Sequence, residues 1–248
     1  MSSNISEVVA QRGQGKIALL SHPFFRRIRE ASPGDVNASD AAKPALTRAD
    51  TAVFLGQWWH PLHYFPVFLS KTIAVLPRQE TKTAVSKILY QELGEGDPLR
   101  AHERVYVDTM RAAGFAEDLV TGAPPFPETR QLIEGYAQAA EQPMSALGFL
   151  YGTEVADLTM VSGIGEAVRR TTGAVELPWV DIHVMQEPEH VVRANEAVTV
   201  PFAPDQLDEI VKSAEVMWKL WVGFFNRLHA ELAHRPARGL QTAPSIAL

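Results

Sequence analysis

Leu147-Gly148-Phe149-Leu150-Tyr151-Gly152-Thr153-Glu154-Val155-Ala156 is apolar at helical spacing. Leu147, Leu150, Tyr151 and, further on, Leu158 fall at offsets that share roughly one face of a 3.6-residue helix. Pro143 opens the run at a first-turn position, and the pattern continues to about Thr172. Glu154 is a lone carboxylate on that face. Burying an unpaired charge is costly, so Glu154 needs a metal, a salt bridge or a hydrogen-bonded tyrosine beside it.

The same pattern extends in both directions. Helices are expected near Pro23–Ala31, over Arg48–Val75 with many aromatics, and over Glu80–Leu93, which Gly94 and Gly96 end. Another starts at Pro98 with Asp97 as N-cap and ends at Gly114. Further helices are expected over Pro127–Ala140, Pro178–Ala197 and Pro204–His234; Val198–Phe202 is a short extended candidate. Seven or eight helices joined by Pro/Gly turns give an all-α bundle. The expected division is a flexible segment over 1–20, one helical domain over 21–234 and a disordered tail over 235–248.

Composition narrows the function. The 248 residues carry a net charge of −6, which argues against a nucleic-acid partner, because phosphate backbones are held by surplus Lys and Arg. No apolar run reaches the roughly 20 residues that span a bilayer, and Met1–Gln14 lacks a signal peptide's apolar core. A soluble, cytoplasmic protein with no membrane partner is expected. There is no cysteine. Disulfides, thiolate metal sites and cysteine nucleophiles are thereby excluded together.

The densest group of ligand-type side chains is His183, Glu187 and His190, in Trp179-Val-Asp-Ile-His-Val-Met-Gln-Glu-Pro-Glu-His190. Offsets of four and seven return to within roughly 40° of the start on a helix. All three then leave one face, as metal ligands or as a polar surface stripe. Pro188 disfavours helical geometry at Glu187, so the helix either kinks there or restarts. Glu92 and His102 are a second group, separated by the glycine-broken turn Gly94-Glu-Gly96 and able to meet if their helices run side by side.

Together these residues resemble the haem-oxygenase-like diiron oxidases and oxygenases, the iron-containing redox enzymes related in fold to the TenA/PqqC group. That family runs Glu, Gly-rich turn, His; then Glu after Leu-Gly-x-Leu-Tyr; then His-x3-Asp/Glu-x2-His. The corresponding residues here are Glu92 and His102, Glu154, and His183, Glu187 and His190. The resemblance covers roughly residues 50–230. It implies that these six residues hold two Fe(II) ions, with O2 as co-substrate. The implied function is oxidation of a small-molecule substrate, an amino acid or amine, by N-oxygenation, C–C cleavage, desaturation or cyclisation. Glu187 departs from the Asp common in the family. The early aromatic helix, where some members place a further Glu, has none in Gln57-Trp-Trp-His-Pro-Leu-His-Tyr-Phe-Pro66. Gln57, His60, His63, Trp58 and Tyr151 are therefore read as substrate-pocket or outer candidates, with Trp59, Tyr64, Phe65 and Phe149 as further pocket walls.

Several alternatives stay open. One is a fatty-acid-oxidising diiron enzyme. A second is a metal-independent TenA/PqqC-like enzyme of the same fold, whose hydrolases need the cysteine absent here. A ferritin-like bundle would use Glu231-x-x-His234, which sits at a helix end where the dipole already explains a histidine. Arg169 or Arg170 would hold a substrate carboxylate if either faced inward. A homodimer paired along an apolar face is a further expectation.

Overall fold

The computed structural model describes residues 5, 9, 12–30, 46–199 and 201–234, and these contain helices and no strand. The helices are α1 (Gln14–Leu20), α2 (Pro23–Glu30), α3 (Arg48–Val75), α4 (Gln79–Glu92), α5 (His102–Ala112), α6 (Glu117–Thr121), α7 (Pro127–Ala139), α8 (Pro143–Thr172), α9 (Pro178–Thr199) and α10 (Pro204–His234). None of them is long and apolar enough to cross a membrane.

Local chemistry sets the boundaries. At the start of α3, Thr47 Oγ1 accepts from the Asp50 N–H, and the Asp50 carboxylate accepts from the Thr47 N–H. This capping box satisfies donors that a helix start leaves unpaired. Prolines open α7 and α8, where a missing N–H costs nothing. Gly173, at φ +75°, closes α8 in the left-handed conformation.

Sequence patterning expects one helix from Pro98. Instead Asp97 caps a single 3-10 turn, Pro98–Arg100, by accepting from the Leu99 N–H at 3.0 Å. Ala101 is non-helical (φ −56°, ψ 136°), and α5 begins at His102. The break places His102 at a helix start directly opposite the end of α4. The extended candidate over Val198–Phe202 is also corrected, since Val198 and Thr199 complete α9; Val200 lies outside the described residues.

Two short helices, α1 and α6, escape sequence patterning because one or two turns give too little periodicity to recognise. α1 falls inside the stretch read as flexible. It is docked on α10, with Leu19 buried and the Gly15 N–H donating to the Glu215 carboxylate at 3.1 Å. The expected tail, 235–248, lies outside the described residues.

α8 runs through the middle, packed against α9, α10 and α3. Its approach to α10 is close at Gly148, where a Cβ would stand 2.3 Å from the Ile210 carbonyl oxygen. Leu147, Leu150 and Tyr151 are buried as their spacing requires, whereas Leu158 is exposed in an open groove beside α2. An aromatic cluster of Phe24, Phe25, Phe54, Trp221, Phe224 and Phe225 fills part of the core with edge-on, tilted and stacked ring contacts.

Candidate metal centre

Glu92 is the last residue of α4, His102 the first of α5, Glu154 sits mid-way along α8, and His183, Glu187 and His190 line one face of α9. All six are buried and converge. Their ligand atoms form two sets, Glu92/His102/His183 and Glu154/Glu187/His190, with the atoms of each set within 4.8 Å of one another. The alternative of a solvated surface stripe on α9 is thereby removed for these side chains. Helix α9 passes through Pro188 without restarting, and the proline ring faces solvent. One missing hydrogen bond is tolerated because tertiary packing holds the helix on both sides of it.

The ring nitrogens have distinct roles. His183 Nδ1 lies 2.7 Å from the Trp179 carbonyl oxygen, to which it donates, so Nε2 is left as the electron-pair donor. His102 Nε2 lies 2.9 Å from Gln186 Oε1, which leaves Nδ1 facing Glu92 Oε2 at 3.0 Å. His190 Nδ1 stands between carboxylates of both sets, 3.5 Å from Glu154, 3.8 Å from Glu187 and 3.9 Å from Glu92. Gln186 carries no sequence signal beyond its place next to Glu187, and patterning missed it.

Electrostatics set the protonation states. Burial alone would raise Glu92, but the His102 imidazole outweighs it and the carboxyl falls to about 2. His183 is pushed down to about 3, by burial first and then by His102. Burial opposes charge on His190, yet Glu154 lifts it to about 9. Glu187 is driven far above the carboxylate range, first by burial and then by Asp157, Glu154 and Glu92, and it hydrogen-bonds Glu154. Asp157, one helical turn after Glu154, is raised by burial and by Glu154. It is a fourth acid of the site that sequence reading did not single out; its i, i+3 spacing from Glu154 was the available signal.

The donor set fits iron. Glu154 Oε1, Glu187 Oε1 and His190 Nε2 are buried without a hydrogen-bond partner, a costly condition that a native structure explains with an ion, water or function. Carboxylate oxygen with imidazole nitrogen, and no thiolate, suits a non-haem iron centre.

A cavity of about 40 Å³ opens onto the centre, walled by Pro61, Leu62, Phe65, Tyr136, Thr153 and Trp221, with Asp157 on its rim of acids. Tyr136 is fixed there. Trp221 Nε1–H donates to the Tyr136 hydroxyl at 3.1 Å, that hydroxyl lies 2.6 Å from Thr153 Oγ1, and Thr153 donates to the Phe149 carbonyl at 2.8 Å.

The other sequence candidates stand elsewhere. Gln57 accepts from Thr129 and from the Phe126 N–H and donates to the Pro124 carbonyl, so all its polar atoms tie α3 to the start of α7. His60 pairs with the Ala123 carbonyl at 2.8 Å, and His63 with Glu103 on the surface at 2.8 Å. Both point away because α3 turns its other face to α8. Trp58 and Tyr151 are core, and of the expected pocket walls only Phe65 borders the cavity. Arg170 pairs with Glu166 on the exterior, and neither it nor Arg169 reaches the centre. Glu231 pairs with Arg227 at 2.9 Å, and the His234 side chain lies outside those described.

A helical bundle enclosing two adjacent clusters of acids and histidines that could each hold a metal ion defines a candidate metalloprotein with a haem-oxygenase-like fold. Residues 52–222 match the family described as iron-containing redox enzyme, and the chain belongs to that family. Solved structures agree in fold. A CadD-like protein of unknown function from Nostoc punctiforme shares 16% identity over 92% of this chain and 99% of its own, with a TM-score of 0.70. A domain of unknown function with a heme oxygenase-like fold from Shewanella denitrificans shares 16% over 93% and 94%, also at 0.70. A TenA homolog from Pseudomonas syringae shares 13% over 91% and 92%, at 0.67. No curated protein matches the chain.

Proposed function

We propose that the protein is a non-haem diiron oxygenase or oxidase that activates O2 to oxidise a small amine or amino acid. One observation carries the reading: two adjacent buried ligand sets, with orphaned carboxylate and imidazole atoms, open onto a single cavity. Glu92, His102 and His183 would hold one Fe(II), and Glu154, Glu187 and His190 the other. Bound together, the two ions supply the electrons and open coordination positions that O2 reduction requires.

The chain's own groups prepare the site. The Trp179 carbonyl and Gln186 fix the tautomers of His183 and His102, which orients each donor before metal arrives. Glu187 and His190 hold protons that metal entry must release. The chain of hydrogen bonds from Trp221 through Tyr136 to Thr153 keeps one wall rigid, while Leu62 and Phe65 keep water away from it. A cavity of about 40 Å³ has room for O2 or two to three waters, given roughly 15 Å³ for each. A larger substrate enters by displacing the half-buried Leu62 and Phe65. Asp157, whose carboxyl is raised by burial and by Glu154, offers a hydrogen-bonding group beside the apolar walls, which suits a polar amine or amino acid more than a fatty-acid chain.

The test is anaerobic loading with Fe(II), followed by Mössbauer and absorbance measurement on exposure to O2. Two irons per chain, lost in Glu154→Ala and His183→Ala, support the reading. Iron uptake unaffected by either substitution overturns it.

A further inference from the structure

The contacts of His183 lead outward as well as into the centre. Its ring lies 4.5 Å from Trp179, which is fully buried. Trp179 meets Tyr106 edge-on at 4.9 Å, Tyr106 stacks near Trp59 at 6.4 Å, and Trp59 stacks on the exposed His63 at 5.0 Å. Exposure increases in order along this path, from Trp179 and Tyr106, both 0% exposed, through half-buried Trp59 to solvent. The second branch, Trp179 to Trp58 to Trp221, stays buried throughout.

Proton bookkeeping gives the path a direction. A buried indole N–H usually finds a partner, but Trp179 Nε1 has none. On losing an electron, Trp179 cannot pass its proton to anything and stays a reactive radical cation. Tyr106 donates its hydroxyl to the Leu55 carbonyl at 2.8 Å, a poor proton acceptor, so its ring is a bridge and not a resting place. Trp59 is the first indole on the path within reach of water, where the proton can leave and the radical is stabilised.

We infer that Trp179, Tyr106 and Trp59 form a one-electron relay that drains oxidising equivalents from the centre when no substrate is present to consume them. This rests on the diiron reading of the same site. The oxidant would be O2 reduced at the irons held by the two ligand sets, which would take one electron from Trp179 and one proton from water. Trp59 loses one electron through Tyr106 and Trp179 and releases its indole proton to water. A soluble thiol-class or ascorbate-class reductant then restores Trp59 by supplying one electron and one proton.

The experiment exposes the Fe(II)-loaded full chain to O2 without substrate, with catalase present. Iron content, O2 uptake, freeze-quench EPR and peptide mass spectrometry are recorded on the same samples. A tryptophan radical and oxygen-addition products at Trp59 are expected, with Met185, 73% exposed and open to any diffusible oxidant, left unmodified. Trp179→Phe, which keeps an aromatic ring in place, should bind iron normally and lose the Trp59 modification. Trp59→Phe, which keeps an aromatic ring at the half-buried end, should leave a longer-lived radical on Trp179. Equal Trp59 modification in wild type and Trp179→Phe, or parallel oxidation of Met185, overturns the relay. Iron uptake and O2 consumption with Trp59 untouched overturn the relay alone, whereas absence of iron uptake overturns the diiron reading and the relay with it.

Discussion

Gln186 Oε1 and His102 Nε2 lie 2.9 Å apart, and this pair decides which nitrogen His102 turns toward Glu92. Gln186 comes from α9 and His102 from α5, so the contact also pins the start of one helix to the middle of another. Partners of this kind are worth about 10–100-fold in metal affinity. Gln186→Leu should therefore weaken metal binding by about that factor while leaving the helical circular-dichroism spectrum intact. Competition against a chelator of known affinity measures it, and Gln186→Glu, which keeps an acceptor, should recover most of the loss.

Glu187 offers a sharper separation of stability from metal binding. Its carboxyl is held protonated by burial and by Asp157, Glu154 and Glu92. Glu187→Gln replaces a neutral group with a neutral isostere, so the metal-free protein should change by only about 1 kcal/mol in stability, the size of an ordinary point substitution. The same substitution removes a carboxylate ligand from one of the two sets and should reduce the rise in Tm that metal produces, leaving the part that comes from Glu92, His102 and His183. Paired thermal melts with and without Fe(II) or Co(II) check both halves.

The metal-free protein should lose stability as pH rises from about 6.5 to 8. Over that window His190, lifted from 6.5 to about 9, together with the raised Glu187 and Asp157, binds more protons folded than unfolded. Each such proton costs about 1.4 kcal/mol per pH unit at full difference. Glu92, lowered to about 2, and His183, lowered to about 3, act oppositely. The contribution of Glu92 is lost only as pH falls below the ordinary carboxylate range, and His183 offsets part of the loss only near pH 6.5, where its unfolded form still takes up protons. Metal displaces the extra protons, so the gap in Tm between loaded and metal-free protein should widen as pH rises through the same window. A gap that narrows would contradict this protonation scheme.

Gly148→Ala should destabilise the bundle independently of metal. The added Cβ would stand 2.3 Å from the Ile210 carbonyl oxygen and 2.6 Å from Ser213 Cβ, and neither belongs to a long flexible side chain. Overpacking of this kind costs about 1–3 kcal/mol. Urea unfolding of the metal-free variant measures it.

Much of the fold was legible because helices write their period and their ends into the chain. The bounds of α3, α8 and α10 follow from Pro, Gly and apolar spacing. α1 and α6 were not legible, being too short to show a period, and the split at Ala101 was hidden because nothing in the residue itself forbids helix. In the site, His183, Glu187 and His190 announce themselves by sharing one helix face. Gln57, His60 and His63 look equally promising in sequence, yet hydrogen bonds to Thr129, Ala123 and Glu103 take them away from the cavity. Periodicity gives a face but not the neighbour that face meets.

The sequence by itself determined an all-helical chain, the absence of thiol chemistry, and six acids and histidines in an order that resembles one family. The tertiary structure alone decided that α4, α5, α8 and α9 bring those six together in two adjacent sets. It also added Asp157 and Gln186, and it ran an aromatic path from His183 to the surface. Such contacts join residues tens of positions apart. They are set by how helices pack against one another, which no local pattern of side chains records.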